Sequence, residues 1–244
     1  MPALPPAILF DLDETILSFG QRKVLLHEVA ATFAEALAPV SVDEAAEVLE
    51  AHSRAFWADG ERHRQWRQRP LSESRRYIAS QAFAELTGRG ARGLSDELAA
   101  EFGDRFHAHR EAQIRFFPGA LETLDALKAR GVRMALVTNG VSEVQRGKID
   151  RFDLGRRFEH IQIEGEHGFG KPELQAYRHA MDVLGVEAHQ TWMVGDNLEW
   201  EVAAPQKLGI HAIWHDPFRV GLPAGSAVRP DRIIHELGEL LEGD

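Results

Sequence analysis

Ala7-Ile8-Leu9-Phe10-Asp11-Leu12-Asp13-Glu14-Thr15-Ile16-Leu17 decides the fold. Four apolar residues run into an aspartate, and a second aspartate follows one residue later. A run this short, apolar on both faces and partly β-branched suits a strand buried in a parallel sheet. Two more runs have the same form: Met134–Val137 ending at Thr138, and Trp192–Val194 ending at Gly195-Asp196. Phe158–Ile163, His211–Trp214 and Arg232–Ile234 are further strand candidates. Helical patterns lie between them. Ala120, Leu121, Leu124, Ala126 and Leu127 recur at helical spacing, and Gly131 follows as a stop. Glu173–Leu184 is opened by Pro172, and Leu198–Leu208 ends at Gly209, with Pro205 set to kink or shorten it.

This alternation of strand and helix from residue 118 onward predicts a doubly wound, parallel-sheet, Rossmann-like α/β core. Residues 18–117 break the rhythm. They read as wholly helical over 22–38, 43–58, 73–87 and 94–113, punctuated by Pro39, Gly60, Pro70, Gly88 and Gly90. The expected organisation is therefore a core of residues 1–17 and 118–244, with an all-helical domain, 18–117, inserted after the first strand.

Composition narrows the function. The chain has 244 residues, of which 44% are hydrophobic and 27% charged, the ordinary globular mix. There is no cysteine, which excludes a disulfide scaffold, thiolate metal sites and a cysteine nucleophile. The net charge of −10 argues against nucleic acid or an anionic membrane surface as a partner. The longest apolar run near the N-terminus stops at Asp11 and lacks a basic flank, so neither a signal peptide nor a membrane span is expected. The expectation is a soluble, cytoplasmic protein, monomeric or homodimeric.

Ligands of open parallel sheets collect at the carboxyl ends of the strands. Asp11, Asp13, Thr138, Asn139 and Asp196 all fall at such ends, and Lys171 stands before a helix in the same half. Each alone has an ordinary reading as a cap, a turn or a solvated side chain. Together they offer an all-oxygen site of the kind hard Mg²⁺ prefers, which typically combines one or two carboxylates with a substrate phosphate. One aspartate can then serve as nucleophile and the other as general acid and base. The Thr138 hydroxyl, the following amide and Lys171 suit the stabilisation of phosphoryl oxygens.

The motifs carry a resemblance. ILFDLDETIL resembles the first motif, DxDx[TV], of the haloacid dehalogenase-like (HAD) superfamily; LVTNG, GKP and MVGDNLEWE resemble its second, third and fourth, in order. The helical insertion between the first two looks like a C1-type cap. The resemblance implies a Mg²⁺-dependent phosphatase of a small phosphorylated metabolite, with Asp11 as the nucleophile of an aspartyl-phosphate. It implies Asp13 as general acid and base with its carbonyl on Mg²⁺, and Thr138 with the Asn139 amide as phosphate binders. Lys171 would bridge nucleophile and phosphate, and Asp11, Asp13 and Asp196 would hold the metal. Asn197 and Glu201 fall in the fourth motif as outer-shell candidates. Glu201 stands where the family often has an aspartate, and either reaches the metal through water or faces solvent.

Asp13 favours phosphate-ester hydrolysis over dehalogenation, because halide needs no leaving-group acid. A sugar-phosphate mutase and a receiver-like phospho-aspartate signalling module are the other readings of the set. The segment Gly165–Lys171 fits the start of a P-loop, but Pro172 cannot supply the hydroxyl that Mg²⁺ needs there. In the inserted domain, ERHRQWRQRPLSESRR (61–76) holds six arginines against two glutamates. Arg64, Trp66 and Arg67 are candidate specificity residues on an anion-recognising lid face; the ordinary alternative is a solvated helix. None of the 12 histidines has metal-ligand spacing along the chain.

Overall fold

The computed structural model describes residues 4–66 and 69–242. The strands are β1 (Ala7–Phe10), β2 (Leu17–Ser18), β3 (Arg115–Phe116), β4 (Arg133–Thr138), β5 (His160–Ile163), β6 (Thr191–Gly195), β7 (His211–His215) and β8 (Arg232–Ile234). Six of them form one sheet in the order β5-β4-β1-β6-β7-β8, and every pairing in it is parallel. β1 is central, its four residues fully buried. It lies between β4 and β6, with Phe10 opposite Leu136 on one side and Val194 on the other. The central strands β1, β4 and β6 are buried along nearly their whole length, as strands covered on both faces are, whereas the edge strands β5 and β8 carry His160, Gln162 and Arg232. β2 and β3 pair separately and antiparallel.

The chain divides into two compact units, residues 1–18 with 115–244, and residues 19–114. The second unit is helical: α1 (Arg22–Ala31), α2 (Ala34–Leu37), α3 (Val42–Ala58), α4 (Gly60–Trp66), α5 (Leu71–Gly88) and α6 (Asp96–Ala112). Its core joins Phe33, Phe83, Phe102 and Phe106 to Leu25, Leu49 and Leu86. Ser41 and Ser95 cap α3 and α6, their hydroxyls accepting the amides of Glu44 and Leu98 at 3.2 Å.

Two readings of the helical segment change. The expected helix over 22–38 is broken into α1 and α2 around Thr32 and Phe33, and Gly60, read as punctuation, opens α4. In the first unit the helices are α7 (Ala120–Ala129), α8 (Ser142–Arg151), α9 (Glu164–His167), α10 (Leu174–Leu184) and α11 (Ala204–Gln206). The expected helix over 198–208 is instead a π-helical turn, Leu198–Ala203, that runs into α11. Pro205 has no amide to return to the carbonyl of Glu201, so the wider turn replaces the regular one. No helix among the described residues is long and apolar enough to cross a membrane.

Candidate active site

Asp11 follows β1 directly, and its amide still donates to the Val194 carbonyl at 3.0 Å. The ladder therefore holds the Asp11 backbone while its side chain leaves the end of the sheet. The Asp11 carboxylate is almost enclosed. Lys171 Nζ donates to its Oδ1 at 2.6 Å and Thr15 Oγ1 to its Oδ2 at 3.1 Å. Lys171 also lies 2.7 Å from Glu201 Oε1, and both of these side chains are 1% exposed. One buried ammonium thus serves two buried carboxylates.

Asp13 is placed by a tight turn. The amides of Ile16 and Leu17 return to the Leu12 carbonyl at 3.0 and 2.9 Å, and Glu14 takes a left-handed φ of +61°. The Asp13 carboxylate points to α8, not to Lys171. It accepts Lys148 Nζ at 2.7 Å and Gln145 Nε2 at 3.2 Å. Gln145 Nε2 also donates to the Thr138 hydroxyl, so one amide ties the end of β4 to the turn after β1. Lys148 and Gln145 are both buried.

Asn139, just beyond β4, clamps the Lys171 backbone. Its Oδ1 accepts the Lys171 amide at 2.9 Å and its Nδ2 donates to the Lys171 carbonyl at 2.6 Å. Asp196 follows β6, and Trp214 Nε1 donates to its backbone carbonyl at 2.7 Å. Asn197 caps the π-helical turn, its Oδ1 accepting the amides of Glu199 and Trp200 at 3.0 and 3.1 Å. Glu201 does not face solvent. Its Oε2 accepts the Asn197 amide at 2.8 Å and its methylenes pack on Gly195, where a Cβ would stand 2.0 Å from Glu201 Cγ. Only glycine at 195 admits the buried glutamate.

Electrostatics follow from this crowding. Burial pushes the Asp11 carboxyl up, Lys171 opposes that, and Asp13 adds to it. Asp196 is pushed well above the ordinary carboxylate range, first by burial and then by Glu201, Asp11 and Glu14. Glu201 rises to about 7, burial outweighing the attraction of Lys171. Lys171 is raised: its two carboxylates together outweigh the burial that opposes its charge. The neighbourhood therefore holds more carboxylates than buried cations. The Asp196 side chain has neither a hydrogen bond nor an ion pair among the described residues. A hard divalent cation fits such a set, since every available donor is oxygen and the missing charge is positive.

The structure thus brings Asp11, Asp13, Thr138, Asn139, Lys171, Asp196 and Glu201 to the carboxyl ends of β1, β4 and β6. Sequence reasoning missed Gln145 and Lys148. They are three apart on α8, directly after the LVTNG segment, and Lys148 is one of only five lysines in the chain. That spacing places both on one helix face.

The candidate specificity residues lie in the helical unit. Arg67 and the side chain of Arg64 fall outside the described residues. Trp66 packs in an aromatic cluster, edge-to-face with Phe56 at 5.5 Å and tilted against Tyr77 at 5.3 Å, with the Arg69 guanidinium 4.7 Å over its ring. Other arginines of that stretch are bound within the unit. Arg75 is buried against His107 and 3.7 Å from Glu111, Arg76 forks Asp104 at 2.6 and 2.8 Å, and Arg62 lies 3.7 Å from Asp59. Much of the positive charge in that stretch is thus matched locally.

A haloacid dehalogenase-like hydrolase model matches residues 5–209. The chain is similar to the phosphoserine phosphatase of Thermus thermophilus, 33% identical over 148 residues, 61% of this chain and 58% of the relative. It spans between 46% and 63% of the length of this and five other curated relatives. Its fold is similar to that of the HAD-hydrolase YfnB of Bacillus subtilis, with a TM-score of 0.69 at 21% identity over 98% of both chains. It is also similar to a 2-haloacid dehalogenase of Pseudomonas syringae, with a TM-score of 0.56 at 25% identity over 97% of this chain and 96% of that one. With the parallel sheet, the carboxyl-end acids and the matched residues taken together, this chain belongs to the haloacid dehalogenase-like hydrolase family.

Proposed function

We propose that the protein is a Mg²⁺-dependent phosphatase of small phosphorylated metabolites and that it works through an aspartyl-phosphate on Asp11. One observation carries the reading: a second carboxylate, Asp13, stands two residues after the nucleophile and is held by its own partners, Lys148 and Gln145. An ester oxygen needs a proton as it leaves, and the group that donates that proton, left as a base, must be available afterwards to activate water. A halide needs neither. The phosphoserine phosphatase likeness supports the same substrate class.

In this reading, Asp11 Oδ attacks phosphorus and the ester oxygen leaves with a proton from Asp13. Asp13 then takes a proton from water as the water attacks the acyl phosphate, which returns free Asp11 and inorganic phosphate. Lys171 holds the Asp11 carboxylate in one orientation and faces the phosphoryl oxygens; Thr138 and the Asn139 amide bind them. Asp11, Asp196 and the Asp13 carbonyl would hold Mg²⁺, whose charge lets a phosphate dianion approach the carboxylates.

A phosphate-release screen over a panel of metabolite monoesters tests the activity. At least one is expected to turn over with Mg²⁺ and to stop with EDTA. Chloride release from 2-haloacids without phosphate release would replace this reading with dehalogenation.

Lys148 donates to both Asp13 oxygens, so it acts on the reaction through Asp13 as a positioning residue. Lys148→Met is expected to lower kcat about tenfold for an alkyl phosphate, with KM little changed. The loss should shrink for an aryl phosphate, whose leaving group needs less help from Asp13. An equal loss on both would remove Lys148 from leaving-group chemistry.

A further inference from the structure

We propose that His160, His167 and His179 form a second metal site, one for a borderline divalent cation of the Zn²⁺ class, at the β5 edge of the sheet. The three residues are far from regular ligand spacing, but the fold gathers them: His160 opens β5, His167 ends α9 and His179 lies on α10. One ring nitrogen from each lies within 4.8 Å of the other two. Ring centroids are 5.0–5.9 Å apart and the rings stand at 59–87° to one another, tilted or edge-to-face rather than stacked.

The second nitrogens identify which atoms are free to coordinate. His167 Nδ1 pairs with the Ile163 carbonyl at 3.1 Å, which only an N–H can do. His179 Nδ1 lies 2.8 Å from Gln162 Oε1, and Gln162 Nε2 is committed to the Ala176 carbonyl at 2.9 Å, so the amide presents oxygen to the ring. Both imidazoles therefore donate from Nδ1, which leaves Nε2 as the nitrogen through which either ring would coordinate. A carbonyl oxygen behind each ring is the arrangement that orients and strengthens imidazole ligands. His160 Nε2 is buried and has no hydrogen-bond partner. An orphaned ring nitrogen costs stability unless something occupies it.

Three imidazoles with no carboxylate or thiolate in the set select Zn²⁺, Ni²⁺, Cu²⁺ or Co²⁺ over Mg²⁺. Phe169 covers one flank, 5.7 Å from His167 and 5.5 Å from His179. The bound ion would join β5, α9 and α10, and the segment it brackets between His167 and His179 includes Lys171. The site shares no residue with the oxygen set around Asp11.

The test uses the full chain with any histidine tag removed, stripped by chelator and kept in excess Mg²⁺ so that the oxygen set is filled. Zn²⁺ titrated against a chromophoric chelator is expected to bind at one equivalent. His167→Gln is expected to weaken binding at least about 100-fold, and Asp196→Asn to leave it unchanged. Co²⁺-loaded wild-type protein should show the intense visible bands of a low-coordinate nitrogen site, a readout that needs no variant to fold. No stoichiometric Zn²⁺ binding in excess Mg²⁺ would overturn the proposal. So would the absence of those bands, or binding lost in Asp196→Asn and kept in His167→Gln.

Discussion

Asp11→Asn is expected to reduce phosphate release by about 10⁴-fold or more, the scale on which removing a covalent nucleophile acts. The substitution is nearly isosteric. Asn can still accept Lys171 Nζ through its side-chain oxygen, and the Asp11 backbone stays in its bond to Val194. It cannot form an acyl phosphate. Burial raises the native carboxyl, so its loss also relieves a costly buried charge, and Lys171 keeps Glu201 as a partner. The variant should therefore fold, with a circular dichroism spectrum and a Tm within a few degrees of the parent. Activity within tenfold of wild type, in a variant shown by mass to carry asparagine, would reject Asp11 as nucleophile. An inactive variant that is also unfolded would leave folding as the cause, and the two measurements are made together for that reason.

How much of this site was legible in the sequence depends on where its contacts are made. Asp11, Thr138 and Asp196 could be found because each ends a buried apolar run, and in a parallel sheet such ends lie side by side. Their strands prove adjacent, β4-β1-β6. Lys171 could be found from its place before a helix, but its geometry could not. Its second carboxylate, Glu201, is buried only because Gly195 leaves room for it and the π-helical turn carries it inward. Read along the chain, that glutamate is equally consistent with a solvated helix face. Lys148 and Gln145 reach Asp13 across more than a hundred residues, and nothing local marks that contact. The histidines illustrate the same limit. A strand start, a helix end and the middle of another helix have no common period, so only the folded sheet edge brings their rings within 4.8 Å.

Asp196→Asn is expected to cost about 10³-fold or more in activity while making the metal-free protein more stable, and the pH dependence of the second effect has a definite sign. The Asp196 carboxyl is raised far above its ordinary value by burial and by Glu201, Asp11 and Glu14. A carboxyl that holds its proton more tightly folded than unfolded costs nothing at low pH. It withdraws stability as the pH climbs from the unfolded value towards the folded one. Asparagine has no such proton to lose. In EDTA at pH 8 the variant should therefore melt about 2–5 °C above wild type, and the gap should close towards pH 4. Glu201, raised in the same sense to about 7, remains in both proteins and does not alter the comparison's direction. Mg²⁺ should reverse the order. It would offset the carboxylates in wild type and raise its Tm, and it would find too few donors in the variant to do the same. Asp196 thus sacrifices stability in the empty site for charge that a cation and a phosphate later use. A variant no more stable than wild type in EDTA at pH 8 would show that Asp196 is already neutralised within the fold. The charge imbalance around Asp11 would then not be what calls for a metal.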